Sequence, residues 1–387
     1  MSPDPVYFDH NATTPVSPAA LDAMFAALKP AYGNASSIHR PGQAARQILE
    51  TARRRIAAVL ECDAKEILFT GGGTEADNIA IFGAARRRPG GHIVTTAIEH
   101  AAVLGPCGQL EREGFSVTCV QPDSSGIVQP GEIRRALRPD TVLVTVMHAN
   151  NEIGALQPVV EIGAIAREAG ALFHCDGIQA AGRVPVRLRE LPVDLYSISA
   201  HKFHGPKGIG ALYVRGGVEL QPLLFGGRHE KGLRPGTENT AAAAGMAAAL
   251  DEAAGSLAVE AARLSHLRDR LEQGIQAAIP RVTVNGAGAP RLPNTTNLCF
   301  HGIEGEAMVI ALDMAGFAVS SGSACSSGAV EPSHVLTALG LSRRDARSSV
   351  RVSLGRSNTD EQVDAFLSAA AGCAARLRKL SPDYVHA

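Results

Sequence analysis

The chain has 387 residues, 45% of them apolar, and its 37 basic and 38 acidic residues leave a formal net charge of -1. This near-neutral balance argues against nucleic acid or an anionic membrane as the main partner, and the length is sufficient to bury one large core or two. No segment approaches the about 18 apolar residues of a membrane span. The opening residues, MSPDPVYFDHNATTPV, lack the basic start and apolar run of a signal peptide, and seven cysteines without paired spacing predict a reducing, cytoplasmic compartment.

Short apolar or β-branched segments alternate with helical patterns from residue 65 to residue 215. We predict strands at 66–70, 92–97, 115–120, 141–147, 171–175, 194–199 and 210–214. Amphipathic segments such as 159–170 lie between several of them and predict helices. Continuous apolar strands that alternate with helices are typical of a mainly parallel sheet with helices on both faces.

The second half of the chain predicts a long helical region followed by a smaller domain. Residues 240–280 predict one or two long helices, and the segments RVTVNG, TTNLCF, AVSSG and VRVSLG beyond them predict a separate sheet. We therefore expect a large domain over 15–257. We expect a small domain over 1–14 and 258–387, which includes a cysteine-containing loop at about 320–332.

Polar residues follow five of the predicted strands. They are Thr74, His100, Asn151, Asp176 with Gln179, and His201 with Lys202. Each alone could be a helix cap or a surface residue. In open parallel sheets, however, ligands bind beyond the carboxyl ends of the strands. Five such sets at one edge predict a binding site.

Three glycines at 71–73 precede a predicted helix. Successive backbone N–H groups at a helix N-terminus, together with the helix dipole, favour a bound phosphate. The segment matches neither the G-x-x-x-x-G-K-[ST] motif of nucleoside triphosphate sites nor the G-x-G-x-x-G motif of dinucleotide sites. A tight turn that opens a capped helix is the alternative interpretation.

Asp176 and Lys202 suggest the chemistry of the site. Asp176 follows an apolar strand, so its carboxylate needs a cationic partner, which no nearby basic residue in the sequence supplies and a protonated pyridine nitrogen would. Lys202 is one of only six lysines and lies between His201 and His204, where desolvation and nearby cations make an amine nucleophilic. Together with a phosphate cradle and a flat imidazole, these residues predict pyridoxal 5′-phosphate (PLP) held as a Schiff base.

The sequence gives little indication of a resident metal. His201 and His204 have loose ligand-like spacing, but further ligands are missing near them, and neither C-x-x-C nor H-E-x-x-H occurs. We therefore predict no metal site.

A set of motifs lies along nearly the whole chain: YFDHNATTP, YGNASSIHRPG, FTGGGTEADN, TAIEHAAV, ANNEIG, HCDGIQAAG, SAHKFHGPKGIGALYVR, RPGTEN, SSGSACSSGAVEPSHVL and VRVSLGR. Together these motifs resemble those of the cysteine desulfurases, which are fold-type I PLP enzymes of the class V aminotransferase-like group. The resemblance is greatest to the nitrogen-fixation type, which LRKLSP near the C-terminus favours. It implies an α/β fold with a mainly parallel seven-stranded sheet between helices and a smaller α+β domain. His10 departs from the asparagine more common in this group.

The resemblance also implies roles for individual residues. Lys202 would carry PLP, Asp176 would pair with the pyridine nitrogen and Gln179 would contact the ring hydroxyl. His100 would stack on the ring and move protons. The phosphate would be held by Gly73, Thr74, Ser199 and His201, and by Thr237 from the neighbouring subunit of a homodimer. The substrate amino acid would be held by Asn34, Asn151 and Arg351, with Arg356 as the competing ligand for its carboxylate.

Cys325 lies in SSGSACSSG, among residues too small to form a core. The resemblance makes it the nucleophile that takes sulfur from L-cysteine, becomes a persulfide and leaves L-alanine, because a thiolate attacks sulfur well. An ordinary loop cysteine is the alternative. The persulfide would pass to an iron–sulfur scaffold protein, with a scaffold that serves nitrogenase as the narrower interpretation, and would contact a cluster there only transiently.

The other cysteines have no predicted chemistry. Cys119, Cys175 and Cys299 lie in apolar strands and are predicted to be core residues, and Cys62, Cys107 and Cys373 lack reactive neighbours in the sequence.

Two alternatives to a cysteine desulfurase remain open from the sequence. A selenocysteine lyase or another class V aminotransferase-like enzyme would share the fold; an aminotransferase would not need Cys325, and a lyase restricted to selenium should ignore cysteine. An inactive scaffold or regulator would keep the fold without the chemistry, and a colourless purified protein would support it.

Overall fold

The computed structural model of the protein describes residues 5–30, 32–321 and 331–380. The helices are α1 (Pro18–Leu28), α2 (Arg40–Val59), α3 (Gly73–Ala85), α4 (Ala101–Arg112), α5 (Pro130–Ala136), α6 (Val159–Glu168), α7 (Thr240–Ala278), α8 (Gly305–Met314), α9 (His334–Ala338), α10 (Arg343–Arg347) and α11 (Asp360–Leu380), with short 3₁₀ turns at Ala64–Glu66, Ala200–Lys202 and His229–Gly232. The strands are β1 (Val6–Tyr7), β2 (Ile67–Thr70), β3 (His92–Thr96), β4 (Ser116–Val120), β5 (Thr141–Thr145), β6 (Leu172–Asp176), β7 (Leu195–Ser199), β8 (Gly210–Val214), β9 (Val282–Val284), β10 (Thr295–Phe300), β11 (Phe317–Ala318), β12 (Ser320–Ser321) and β13 (Ser349–Ser353).

The large sheet has the strand order β2-β8-β7-β6-β5-β3-β4. The neighbours from β7 to β4 pair in parallel, whereas β8 runs antiparallel to both β2 and β7. Every residue of β3, β5 and β7 is buried, as expected for central strands with helices on both faces. The predicted mainly parallel seven-stranded sheet is confirmed, and each predicted strand of it exists.

The edge strand β4 corrects one prediction. Its apolar pattern predicted a core position for Cys119, but the Cys119 thiol is exposed. Because β4 pairs on only one side, part of its surface faces solvent. Cys175 and Cys299 are fully buried, as predicted.

A smaller antiparallel sheet, in the order β12-β13-β10-β9, lies beyond the long helix α7. The N-terminal segment belongs with it, because β1 pairs with β11 and Phe8 packs in the same apolar cluster as Leu298 and Phe366. The helix α7 is one element of 39 residues, so the boundary that we proposed at residues 257 and 258 lies inside it. Its first part packs in the large core through Met246, and its later part packs in the small core.

Within the described ranges, the structure contains no helix with both the length and the apolar character needed to cross a membrane.

Candidate active site

The carboxyl ends of the central strands open into a cavity of about 290 Å³. Ten of the residues that the sequence singled out line this cavity. They are Gly73, Thr74, His100, Asn151, Asp176, Gln179, Ser199, His201, Lys202 and Arg351. The structure therefore brings residues from five strand ends and from the small sheet to one place.

Lys202 ends the short 3₁₀ turn that follows β7. Its Nζ donates hydrogen bonds to the backbone carbonyls of Asn11, at 2.7 Å, and Ala12, at 2.9 Å. The N-terminal segment thus fixes the amine at the cavity wall. Lys207 is exposed and is not part of the wall.

Asp176 is the last residue of β6 and is buried. Its Oδ1 accepts a hydrogen bond of 2.9 Å from the backbone N–H of Ile178. Burial, and to a smaller extent the carboxyl of Asp77, raise the pKa of Asp176 to about 7. A cationic partner would stabilise the ionised form of this buried carboxyl, and the protonated ring nitrogen of PLP would be such a partner.

The N-terminus of α3 forms the opposite wall. A Cβ added to Gly73 would lie 2.2 Å from Cδ1 of Ile178 and 3.3 Å from Cβ of Ser199, so glycine alone allows this close approach. The N–H groups of the first helical turn lack partners within the helix and favour an anion. Gly73, Thr74 and Ser199 therefore fit the phosphate of PLP.

His100 is the N-cap of α4, and its Nδ1 accepts a hydrogen bond of 3.1 Å from the Ala102 N–H. Burial, followed by the charges of Lys202 and His334, lowers the pKa of His100, so its ring is neutral at pH 7. A neutral imidazole has one nitrogen lone pair. Because the capping contact occupies that lone pair, the ring must release Ala102 before it can accept a proton.

Arg351 lies in β13 and reaches the cavity from the small sheet. Its Nη1 donates to the backbone carbonyl of Asn151 at 3.1 Å, and its Nη2 donates to Oδ1 of Asp9 at 2.7 Å. Its Nε has no hydrogen-bond partner among the described residues. Arg356, the competing carboxylate ligand, instead pairs with Glu252 at 2.9 Å and lines a different cavity. The geometry therefore favours Arg351.

Asn11 is a wall residue to which the sequence had assigned no role. Its carbonyl accepts hydrogen bonds from both Lys202 and Gln179, and its Nδ2 donates to the Asn151 carbonyl at 3.1 Å and to Thr295 at 2.9 Å. The only signal for it was its position in the motif YFDHNATTP. Asn11 joins the N-terminal segment, the large sheet and the small sheet at the site.

His201 faces the same N-terminal segment, since its Nδ1 lies 3.1 Å from Oγ1 of Thr13. Burial, followed by the charge of Lys202, lowers the pKa of His201 to about 4. The ring is therefore neutral at pH 7, and it can offer a hydrogen bond to a phosphate without adding a charge.

Three of the predicted residues are not among those that line the cavity. Asn34 is exposed, and its Oδ1 accepts a hydrogen bond of 2.9 Å from the Ser36 N–H. Thr237 is also exposed. Cys325 lies outside the described residues, as does most of the predicted cysteine loop.

The chain is similar to known proteins over nearly its whole length. The aminotransferase class-V family model matches residues 6–366. Cysteine desulfurase IscS of Anaeromyxobacter dehalogenans (strain 2CP-C) is 46% identical over 385 residues, which is 98% of this chain and 95% of the relative. Cysteine desulfurase IscS of Methanosarcina thermophila is 45% identical over 97% of this chain and 94% of the relative.

Solved structures agree with these relatives. A structure described as a NifS-like protein has a TM-score of 0.90 and 38% identity, over 96% of this chain and 100% of that one. A structure described as SspA in complex with cysteine has a TM-score of 0.80 and 36% identity, over 90% of this chain and 98% of that one.

Proposed function

The chain belongs to the class-V aminotransferase family, and from that membership we propose that it is a cysteine desulfurase that converts L-cysteine to L-alanine and retains the sulfur. It is a PLP-dependent enzyme, as this family is. The observation that carries the proposal is the meeting of Lys202, Asp176, His100 and Arg351 at one cavity. An amine, a buried carboxyl, a neutral imidazole and a guanidinium are the groups that this reaction needs.

Four sets of side chains would hold the cofactor. Lys202 would bond to it covalently, Asp176 would keep its ring nitrogen protonated, and Gln179 would contact its ring hydroxyl. The first turn of α3, with Ser199 and His201, would hold its phosphate. When bound, PLP supplies an electron sink that stabilises negative charge on the substrate carbon.

Arg351 and Asn151 would orient the substrate. Arg351 presents a planar guanidinium, which matches a carboxylate in two parallel hydrogen bonds. Its contact with the Asn151 carbonyl limits how far the guanidinium can turn. The amino group of the substrate would then point toward the position of Lys202.

We assign the sulfur-transfer step to Cys325 on the basis of its sequence context. Its thiolate attacks the sulfur of the substrate, an S–S bond forms and the C–S bond breaks. The electron pair of the broken bond stays with carbon, which takes up a proton as alanine forms. A free thiol has a pKa of about 8.5, so a base is needed near neutral pH. His100 would take the thiol proton once its ring releases the Ala102 N–H.

We further propose a homodimer with shared sites. Large apolar side chains are exposed on one chain, among them Phe25, Tyr32, Ile38 and Phe225, and a second subunit could cover them. Thr237 is exposed and is not among the described residues that line its own cavity. That position supports its assignment to the phosphate of the neighbouring subunit.

The persulfide on Cys325 would pass to an iron–sulfur scaffold protein, and a role for nitrogenase is the narrower form of this proposal. A catalytic thiol must stay reduced between turnovers, which supports a cytoplasmic location.

The test uses the purified holoenzyme. It should be yellow and should form alanine and sulfide from L-cysteine in equal amounts when a reductant is present. An inactive scaffold would be colourless, and a selenium-restricted lyase would form alanine from selenocysteine alone. Either result would refute the proposal.

A further inference from the structure

A thiol, an imidazole and a carboxylate meet on the small sheet, away from the cavity. Cys299 lies in β10, His301 follows its last residue and Asp345 lies in α10. The Sγ of Cys299 is 3.7 Å from Nδ1 of His301, and that nitrogen is 2.9 Å from Oδ1 of Asp345. One ligand atom from each residue lies within 4.8 Å of the others. We propose that Cys299, His301 and Asp345 form a binding site for a divalent, thiol-seeking cation of the zinc class.

Two of the three separations between the ligand atoms are close to those of tetrahedral coordination. Zinc bonds of about 2.3 Å to sulfur and about 2.0 Å to nitrogen or oxygen place neighbouring ligand atoms about 3.3 to 3.6 Å apart. The observed separations of 3.7 and 2.9 Å lie within a few tenths of an ångström of that range. His301 and Asp345 are partly exposed, so an ion can enter, and water can take the fourth position.

The surrounding hydrogen bonds orient two of the three ligands, His301 and Asp345. In the metal-free protein, Nδ1–H of His301 donates to Oδ1 of Asp345. On metal binding the ring proton would move to Nε2, which lies 3.2 Å from the acceptor Oγ1 of Thr283, and Nδ1 would then offer its lone pair to the metal. Oδ2 of Asp345 accepts a hydrogen bond of 2.8 Å from Oγ of Ser342, which leaves Oδ1 for the ion. Metal-binding histidines and carboxylates characteristically have such outer partners.

Charge balance also favours a divalent cation. Without a metal, Cys299 is present as a thiol. Its S–H then donates to the Asp345 carbonyl at 3.4 Å. Binding of M²⁺ releases that proton to water, and the thiolate, the carboxylate and the neutral imidazole together make the site electrically neutral.

The same geometry argues against a nucleophilic cysteine. In a catalytic relay the imidazole contacts the nucleophile with one nitrogen and the carboxylate with the other. Here Nδ1 faces both Cys299 and Asp345, while Nε2 faces Thr283. The ring cannot pass a proton between the two groups, whereas a metal would use all three atoms at once.

The ion would fasten α10 to the small sheet. Cys299 pairs with Ser349 on β13, two residues before Arg351. A metal at this point would therefore link α10 to β10, and β10 pairs with β13, the strand that carries Arg351. We expect the ion to stabilise the small domain.

Zinc binding to the holoenzyme tests the site. The Cys325→Ala variant serves as the background, because it removes the other proposed reactive thiol. Added zinc chloride should bind stoichiometrically and raise the melting temperature. His301→Ala and Asp345→Asn should each weaken binding by more than the roughly 10- to 100-fold that an outer partner is worth, and Thr283→Val should weaken it by an amount within that range. His266→Ala is the matched control, since His266 faces Asp360 at 3.6 Å without a thiol nearby.

Cobalt identifies the sulfur ligand directly. The Co²⁺ form should show a thiolate-to-metal absorption band that Cys299→Ser abolishes, in a protein whose metal-free melting curve shows that it is folded. Failure of the holoenzyme to bind zinc, zinc binding that His301→Ala leaves unchanged, or a cobalt spectrum without the thiolate band would each overturn the proposal.

Discussion

Arg351 Nη2 lies 2.7 Å from Asp9 Oδ1, so a carboxylate of the N-terminal segment already holds the guanidinium that faces the cavity. The side chain of Arg351 is only 6% exposed, and a charge so enclosed requires a charged partner. Asp9 therefore fixes one edge of the guanidinium, and Nε has no partner among the described residues. We therefore expect a substrate carboxylate to share the guanidinium with Asp9 or to displace Asp9 from it.

This arrangement predicts the effect of replacing the Arg351 guanidinium by a lysine amine. Arg351→Lys keeps the positive charge but loses the planar pair of donors, and hydrogen bonds to charged groups are worth about 1.5–3 kcal/mol. The KM for L-cysteine should rise by roughly 10- to 100-fold, as measured by alanine formation. Arg356→Lys is the control and should leave the KM near its original value, because Arg356 pairs with Glu252 outside the cavity. A raised KM in Arg356→Lys together with an unchanged KM in Arg351→Lys would identify Arg356 as the carboxylate ligand.

Borohydride reduction should attach PLP to Lys202 alone. The Nζ of Lys202 is held at the cavity wall by the carbonyls of Asn11 and Ala12, whereas Lys207 is exposed. Peptide mapping after reduction should find the label on the peptide that contains residue 202. Lys202→Ala should lose the covalent label and Lys207→Ala should keep it. Label on Lys207 would contradict the assignment.

Asp176→Asn should retain part of the PLP but lose most of the turnover. An amide cannot keep the ring nitrogen protonated, so the electron sink is weakened. The carboxyl of Asp176 is buried and accepts only one backbone hydrogen bond, so the protein should still fold. Absorption spectra report the bound cofactor and alanine formation reports the turnover. Near-normal turnover would show that Asp176 is not the ring partner.

The sequence predicted the large sheet and most of the cavity wall because both depend on local patterns. Apolar strands identified the elements, and the polar residues after them converge because parallel strands end at one edge. Asn11 could not be found in this way, since its carbonyl meets Lys202 across 191 residues. The metal ligands were missed for a similar reason: Asp345 is 44 residues from His301, and Cys299 looked like a core residue. Cys119 was misplaced because sequence alone does not show which strand is at the edge.

Cys325→Ala should bind PLP and L-cysteine but form no alanine. PLP and the substrate would be held by Lys202, Asp176 and Arg351, which lie in the described part of the cavity wall, whereas the attack on sulfur needs a thiolate. A pulse of cysteine without reductant should leave one extra sulfur on the native 325 peptide, as detected by mass spectrometry. Cys119→Ala is the control because it removes an exposed thiol that could collect sulfur nonspecifically, and it should remain active. Full activity of Cys325→Ala would refute the role of Cys325.

The buried carboxyl of Asp77 should make the stability of the PLP-free protein depend on pH. It lies in α3, is fully buried, and neither carboxyl oxygen has a hydrogen-bond partner among the described residues. Burial raises the pKa of Asp77 to about 7, against about 3.9 for an exposed aspartate. The stability that comes from the neutral carboxyl is therefore fully present below about pH 4 and is lost as the pH rises through about 7. Burial also raises the pKa values of Asp176 and Glu99. The PLP-free protein should therefore become less stable as the pH rises from about 5 to about 8.

Asp77→Asn isolates one contribution to this loss, because asparagine is neutral throughout the range. Its unmet hydrogen bonds cost the same at every pH, so only the ionisation of Asp77 changes the difference between variant and parent. The free energy of unfolding of Asp77→Asn minus that of the parent should grow by about 2–3 kcal/mol between about pH 5 and 8. Urea unfolding of the PLP-free proteins measures it. Asp22→Asn, which removes an exposed acidic group from α1, is the matched control. If the difference for Asp77→Asn stayed constant with pH, Asp77 would have to be ionised throughout, and His174, whose Nε2 lies 3.5 Å from Oδ1, would be the cation that keeps it so.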